Sequence, residues 1–185
     1  MARLGRGGDS GSMAAQLTHA KRLAAARPDV RRAMVGAADN LEPDIVVGSL
    51  EMWVRGRACP GAQDYWDGNW LDVTARVATA GAEVEASGTI VHLGEIKRFL
   101  EACRVLYAVV DGEARLACME PNLGVVIHCS PRGHVSATIA ITPDHMTQRH
   151  EFREEFDQTF LPAIIQSLEN VLLRLPIRGS APQSV

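Results

Sequence analysis

The fold of this 185-residue chain is decided by the stretch Asp64-Tyr65-Trp66-Asp67-Gly68-Asn69-Trp70-Leu71, because a loop passes directly into a strand there. Its first seven residues hold two of the three Trp and one of the two Tyr of the chain. Acidic residues and a turn-forming Gly-Asn pair separate these aromatic residues. Every second residue that follows is apolar, at Leu71, Val73, Ala75 and Val77. This period of two predicts a β-strand with one buried face.

On both sides of this stretch, short apolar segments alternate with turn residues. Upstream, residues 45–54 predict a first strand region in which Gly48 is a bulge. Downstream, the period of two predicts strands at 82–91, 113–120, 123–130 and 134–142, and a charged edge segment at 147–156. Pro121-Asn122 and Pro131-Arg132-Gly133 separate the later strands at hairpin spacing. This spacing favours an antiparallel meander.

Two segments have the helical period instead. In residues 94–107 the apolar positions are Ile96, Phe99, Leu100, Cys103, Leu106 and Tyr107. In the last segment they are Leu161, Ile164, Ile165, Leu168, Leu172 and Leu175. Pro162 fits only the first turn of that helix, and Pro176 ends it. The combined prediction is an α+β fold, in which an antiparallel, meander-like sheet of six or seven strands carries two amphipathic helices on one face.

Composition divides the chain into three regions. Residues 1–43 are predicted to be a flexible or loosely helical N-terminal arm, since their start is rich in Gly and Arg and their middle is rich in Ala. Residues 44–176 are predicted to form a single α+β domain, and residues 177–185 a disordered polar tail. No apolar run approaches the ~20 residues that span a bilayer, so no membrane interaction is expected.

Charge is unevenly distributed between these regions. Residues 1–43 hold seven Lys and Arg against four Asp and Glu, a balance of +3. Residues 44–185 hold twelve against eighteen, a balance of −6. A body this acidic is a poor candidate for binding the phosphates of nucleic acids, and it favours a basic partner.

Motifs for catalysis or for binding phosphates and metals are absent from the sequence. Asp64, Asp67 and Asp72 are candidates for a general acid–base pair, for turn caps, or for contacts with a partner. The four Cys are widely spaced and are interpreted as small buried residues in a reducing compartment. Neither a metal nor a cofactor is expected.

Two motifs resemble the WapI-type bacterial immunity family. The first is the Asp64–Leu71 stretch, followed by a strand, a hairpin and a helix around Phe99-Leu100. The second is Phe152…Glu155-Phe156-Asp157-Gln158-Thr159-Phe160-Leu161-Pro162, which resembles that family's approach to its last helix. The resemblance covers residues 44–176. It implies a non-enzymatic, cytoplasmic protein that neutralises a toxin domain delivered by neighbouring bacterial cells.

Three hypotheses about function follow. The first is an immunity-type protein that binds a cognate protein toxin, such as a basic nuclease domain. Its candidate contact residues are Asp64, Trp66, Asp67, Asn69, Trp70, Asp72, Glu83 and Glu85. The second is a module that binds a small ligand or carbohydrate with Trp66, Trp70 and Asp67 around a cleft. The third is an enzyme that uses the three Asp, with or without a metal bound by His. A protein of no catalytic activity is the remaining alternative.

Overall fold

The computed structural model describes residues 42–131 and 133–181, which form eight strands and two α-helices. In chain order the elements are β1 (Ile45–Val47), β2 (Leu50–Arg57), β3 (Trp70–Thr79), β4 (Ala82–His92), α1 (Leu93–Val109), β5 (Gly112–Ala117), β6 (Leu123–Cys129), β7 (His134–Ile141), β8 (His150–Asp157) and α2 (Leu161–Arg174). Short 3-10 turns at Asp67–Asn69 and Gln158–Phe160 precede β3 and α2. The predicted N-terminal arm comprised residues 1–43, and its residues 1–41 lie outside the described part of the chain. No helix in the described ranges is long and apolar enough to cross a membrane.

The strands form two four-stranded antiparallel sheets, and within each sheet every strand pairs with its neighbour in sequence. Sheet A contains β1 to β4, and sheet B contains β5 to β8. The α+β class and the antiparallel meander are confirmed, whereas the single sheet of six or seven strands is wrong. The 17-residue α1 separates β4 from β5, so that β5 begins a second sheet and does not extend the first. The period of two reports which face of a strand is buried, and it carries no information about which sheet the strand joins.

The first predicted strand region is in fact a hairpin. Val47 pairs with Leu50, so Gly48 and Ser49 form a two-residue turn and Gly48 is not a bulge. Gly48 has a φ of +59°, and a Cβ there would collide with the carboxylate of Glu154. The Glu154 carboxylate accepts hydrogen bonds from the backbone N of Ser49, at 2.8 Å, and from the Ser49 hydroxyl. Edge strand β8 of sheet B is thereby linked to the β1–β2 turn of sheet A.

The apolar faces of both sheets and both helices contribute to one hydrophobic core. Leu71, Val73, Ala75 and Val77 are buried, as their alternation predicted. Strand β3 contacts β7, and β4 contacts both β6 and β7. The helices pack on each other, and α1 also contacts β5 and β4 while α2 contacts β1. The prediction of two helices on one face of a single sheet is therefore replaced by helices that contact both sheets.

The burial of the two helices follows their sequence period. In α1 the buried residues include Ile96, Phe99, Leu100, Cys103 and Leu106. In α2 they are Leu161, Ile164, Leu168 and Val171, while Ile165 and Leu172 are partly buried. The buried stripe is thus shifted by one residue near the end of α2, where Val171 takes the place predicted for Leu172.

Candidate functional site

The loop before β3 is organised first by Asp64. Its Oδ1 accepts hydrogen bonds from the backbone N of Trp66 and of Asp67, both at 2.8 Å. These bonds are those of a side chain that caps a turn, and they lead into the 3-10 turn at Asp67–Asn69. Asp67 is exposed, and Asp72 is partly exposed in β3. The structure therefore gives Asp64 the capping geometry, which was one of the three interpretations open for it.

Asn69 joins this loop to the chain that follows α2. It is fully buried, and its Nδ2 donates to the carbonyl oxygens of Tyr65, at 2.7 Å, and Arg178, at 2.8 Å. Its Oδ1 accepts from the backbone N of Arg178 at 2.9 Å and from Nη1 of Arg57 at 3.2 Å. Both amide hydrogens and both acceptor positions of this side chain are therefore used within the protein.

Two arginines also hold this loop against the chain that follows α2, by donating hydrogen bonds to backbone carbonyl oxygens. Arg57 donates to the carbonyl oxygens of Gly68 and Pro176. Nη1 of Arg178 donates to those of Pro60, at 2.7 Å, and Ala62, at 2.6 Å. Burial, followed by the nearby charge of Arg178, lowers the pKa of Arg57. Within the described ranges, neither guanidinium forms an ion pair with a carboxylate.

The residues after Pro176 therefore form part of the folded body. Gly179 has a φ of +65°, and a Cβ at this position would lie 2.6 Å from the backbone N of Tyr65. The left-handed conformation and the close approach both favour glycine here. The sequence predicted a disordered tail from residue 177; in the structure Arg178 and Gly179 contact the loop.

His92 lies at the centre of the aromatic side chains of the loop. Its ring centroid is 5.1 Å from that of Tyr65, 5.9 Å from Trp66 and 5.4 Å from Trp70. His92 is buried, its Nδ1 accepts from the backbone N of Gly94 at 3.0 Å, and its Nε2 lies 3.0 Å from the carbonyl oxygen of Tyr65. Since a carbonyl can only accept, we assign the hydrogen to Nε2. Trp66, with 49% of its surface exposed, is the outermost ring of this cluster.

Glu95 continues this network into the helix. Its Oε2 accepts from the backbone N of His92 at 2.8 Å, which with the His92–Gly94 bond completes a capping box at the start of α1. Its Oε1 accepts from the backbone N of Met119 at 2.7 Å, in the turn between β5 and β6. Burial and the neighbouring Glu95 raise the pKa of the Cys118 thiol. Sequence reasoning missed both His92 and Glu95, although their i, i+3 spacing before an apolar helix resembles a capping box.

Glu83 and Glu85 lie away from this loop. Both are exposed on β4, nine and seven residues before His92, so about 20–30 Å of extended chain separates them from the aromatic cluster. Arg76 of β3 lies between carboxylates, 2.8 Å from Glu51 and 3.9 Å from Glu83. Val84 and Ala86 are buried, as the alternation of this strand predicted.

The eight predicted contact residues therefore separate into two groups. The structure brings together Asp64, Trp66, Asp67, Asn69 and Trp70, and it places Asp72, Glu83 and Glu85 further along sheet A. No group of three His, Cys, Asp or Glu in the part of the chain that the structure describes is arranged to hold a metal. Two open grooves lie elsewhere, one beside the end of α1 and one beside the end of β8. Trp66, Trp70 and Asp67 line neither of them.

Comparison with known proteins identifies the family of this arrangement. A model of the WapI-like family of immunity proteins matches residues 45–176, which include the eight strands and two α-helices of the described residues. No curated protein and no solved structure shows a significant match. The matched region includes the Asp64–Leu71 loop, the capping box of α1 and the run from β8 into α2. Because this match covers more than half of the chain, the protein belongs to the WapI-like immunity protein family.

Proposed function

We propose that this protein binds a cognate toxin domain in the bacterial cytoplasm and neutralises it without catalysing a reaction. The observation that carries the proposal is the family match over residues 45–176. Immunity by binding requires a stable body and a surface complementary to the toxin. The network around Asn69 and His92 supplies the first requirement.

The charge of the body supports a basic toxin, such as a nuclease domain. Residues 44–185 carry a balance of −6. On the outer face of sheet A, four carboxylates (Glu51, Asp72, Glu83 and Glu85) accompany two guanidiniums (Arg55 and Arg76). A negative field steers a basic protein towards this body and raises the rate of encounter.

The predicted contact residues differ in what they still have available for a partner. Asp64, Asn69 and Trp70 are engaged in turn capping, hydrogen bonding and packing on His92. Trp66, Asp67, Glu83 and Glu85 are exposed. We propose that Glu83 and Glu85 steer the toxin by charge, which requires no direct contact.

The proposal predicts a toxin domain encoded immediately upstream of this protein's gene, and the test is a co-expression experiment with that domain. Expression of the toxin domain alone should stop growth, and co-expression of this protein should restore it. The two purified proteins should also form a stable complex in size-exclusion chromatography. A folded, expressed protein that neither restores growth nor forms this complex would contradict the proposal.

A further inference from the structure

We propose that the toxin is anchored at the apolar end of the molecule, which we define as Tyr107, Val110, Phe156, Phe160 and Pro162, through a basic segment of the toxin. This inference rests on the proposed function and adds the contact surface to it. It assigns the anchoring role to residues outside the Asp64–Leu71 loop.

Two aromatic side chains are exposed at this end. Phe160 has 52% of its surface exposed and Tyr107 has 49%. The ring of Phe160 lies 5.4 Å from that of the partly buried Phe156. Exposed aromatic residues that are held in place by their neighbours are typical anchors of protein interfaces.

The turn that carries Phe160 is ordered by a side chain. Oδ1 of Asp157 accepts from the backbone N of Thr159 at 2.7 Å, and α2 begins directly after Phe160, at Leu161. Leu161 is fully buried, so it ties the turn to the core. Phe160 is therefore presented on a fixed segment, which reduces the entropy lost when a partner binds.

Two open grooves lie nearby, one beside this turn and one beside the end of β8. Tyr107, Val110, Gln158, Thr159 and Pro162 line the first groove. Gly133, His134, Glu155, Phe156 and Asp157 line the second. Gln158 and Thr159 of the turn line the first groove, and the end of β8 that leads into the turn lines the second, so apolar side chains of a partner can approach the segment that carries Phe160.

Val110 has an unusual backbone conformation. It has a φ of +56° at the end of α1, in the left-handed conformation that glycine usually occupies. A β-branched side chain is strained in this conformation. The Val110 side chain lines the first groove despite this strain.

The acidic residues at this end favour a basic partner. Glu155 and Asp157 are exposed and line the second groove, and the exposed Asp111 directly follows Val110 of the first groove. None of the described residues that line the two grooves is Lys or Arg. Hydrogen bonds from Thr159 lower the pKa of Asp157, which keeps this carboxylate charged at neutral pH. A basic partner complements this rim, whereas a second copy of the chain would bring the same negative charges against it.

The Asp64–Leu71 loop is less suited to anchor a toxin. Tyr65 and Trp70 pack on His92 and are only partly exposed, so Trp66 is the one ring of this loop that is exposed, whereas the apolar end exposes both Tyr107 and Phe160. The loop contacts the chain beyond the C-terminal end of α2, while the apolar end lies at the N-terminal end of α2. The 14 residues of α2 place these regions about 20 Å apart.

The test measures binding kinetics with the toxin domain encoded immediately upstream as the probe. The variant Phe160→Ser/Tyr107→Ser removes both exposed rings. The matched control Met146→Ser/Leu173→Ser removes two side chains that are 80% and 79% exposed on other surfaces. We expect the first variant to dissociate from the toxin at least about 30-fold faster than the wild type, with little change in association rate. The control should match the wild type.

Each outcome has a defined meaning. If wild-type protein binds the toxin and the Phe160→Ser/Tyr107→Ser variant dissociates at the wild-type rate, the anchor is wrong and the proposed function stands. If the wild type does not bind, the proposed function itself fails. A wild-type dimer in sedimentation that this variant abolishes would assign the apolar end to self-association and overturn the inference.

A second variant keeps the test valid if the first does not fold. Asp111→Lys/Glu155→Lys reverses two exposed charges around the grooves and leaves both rings in place. We expect weaker toxin binding than for Glu101→Lys/Glu120→Lys, which makes the same change in net charge on other surfaces. Equal affinities of these two folded variants would contradict a basic partner at this end.

Discussion

Asn69 and Arg178 form two reciprocal hydrogen bonds although 109 residues separate them in the sequence. The Asn69 Nδ2 donates to the Arg178 carbonyl oxygen at 2.8 Å, and the Asn69 Oδ1 accepts from the Arg178 backbone N at 2.9 Å. This pair closes the Asp64–Leu71 loop against the chain beyond α2. The family match covers residues 45–176, so Asn69 lies inside it and Arg178 lies just beyond it.

The first prediction concerns Asn69 itself. Asn69→Ala removes a fully buried amide and leaves the Tyr65 and Arg178 backbone groups without these partners. We expect the free energy of unfolding to fall by about 2–4 kcal/mol, measured by urea denaturation. Asp67→Ala, at an exposed position of the same turn, should change it by less than about 0.5 kcal/mol. Equal effects of the two substitutions would show that the Asn69 bonds do not stabilise the loop.

The second prediction concerns the end of the chain. A protein that ends at Pro176 lacks the Arg178 backbone and side-chain hydrogen bonds to Asn69, Pro60 and Ala62. We expect it to lose about 2–4 kcal/mol of stability and to show a red-shifted Trp emission, because Trp66 and Trp70 lie in the loosened loop. A protein that ends at Ala181 retains these contacts and should melt like the full chain. Identical melting of both truncations would contradict the closing role of Arg178.

The third prediction tests the packing of α2. Leu168 is fully buried, whereas Leu173 on the same helix has 79% of its surface exposed. Leu168→Ala should therefore lower the free energy of unfolding by about 2–5 kcal/mol. Leu173→Ala should leave the denaturation midpoint nearly unchanged, since it creates no cavity. A denaturation midpoint for Leu168→Ala equal to that of the wild type would contradict the packing of α2 in the core.

The fourth prediction concerns charge steering on sheet A. Glu83→Lys/Glu85→Lys reverses two exposed charges, and the buried Val84 and Ala86 keep their positions. Association with the toxin domain should slow, more at low salt than near 0.15 M, where the screening length is ~8 Å. Glu101→Lys/Glu120→Lys changes the net charge equally on other surfaces and should slow it less. An association rate that matches the wild type at every salt concentration would exclude steering by Glu83 and Glu85.

The fifth prediction concerns the four free thiols. Cys59 is exposed, whereas burial raises the pKa of Cys103 to about 12 and also raises the pKa of Cys118 and of Cys129. A raised pKa leaves little thiolate at pH 8, so these three should react slowly with a disulfide reagent. We expect one fast thiol in the native protein and four in denaturant. Cys59→Ser should abolish the fast phase, and a fast phase of two or more thiols would contradict the described packing.

Local sequence period determined most of the secondary structure. The alternation from Leu71 to Val77 and the apolar stripe of α1 predicted strand, helix and buried face, because burial of one face imposes the period of the element on the sequence. The Asp64–Leu71 motif also pointed to the family that the later comparison identified. These properties depend on residues within about ten positions of one another, so a single sequence contains them.

Only the tertiary structure decided how these elements are joined and which side chains remain exposed. Whether a strand joins sheet A or sheet B depends on where α1 places the chain that follows it. The alternation of apolar and polar residues does not encode that position. The hydrogen bonds between Asn69 and Arg178 and the packing of Trp66 and Trp70 on His92 join distant segments. Phe160 adjoins an apolar helix in the sequence, yet half of its surface is exposed because its turn leaves the core before Leu161 enters it. Long-range contacts set burial at these positions, and for that reason the role of each side chain there became visible only in the folded chain.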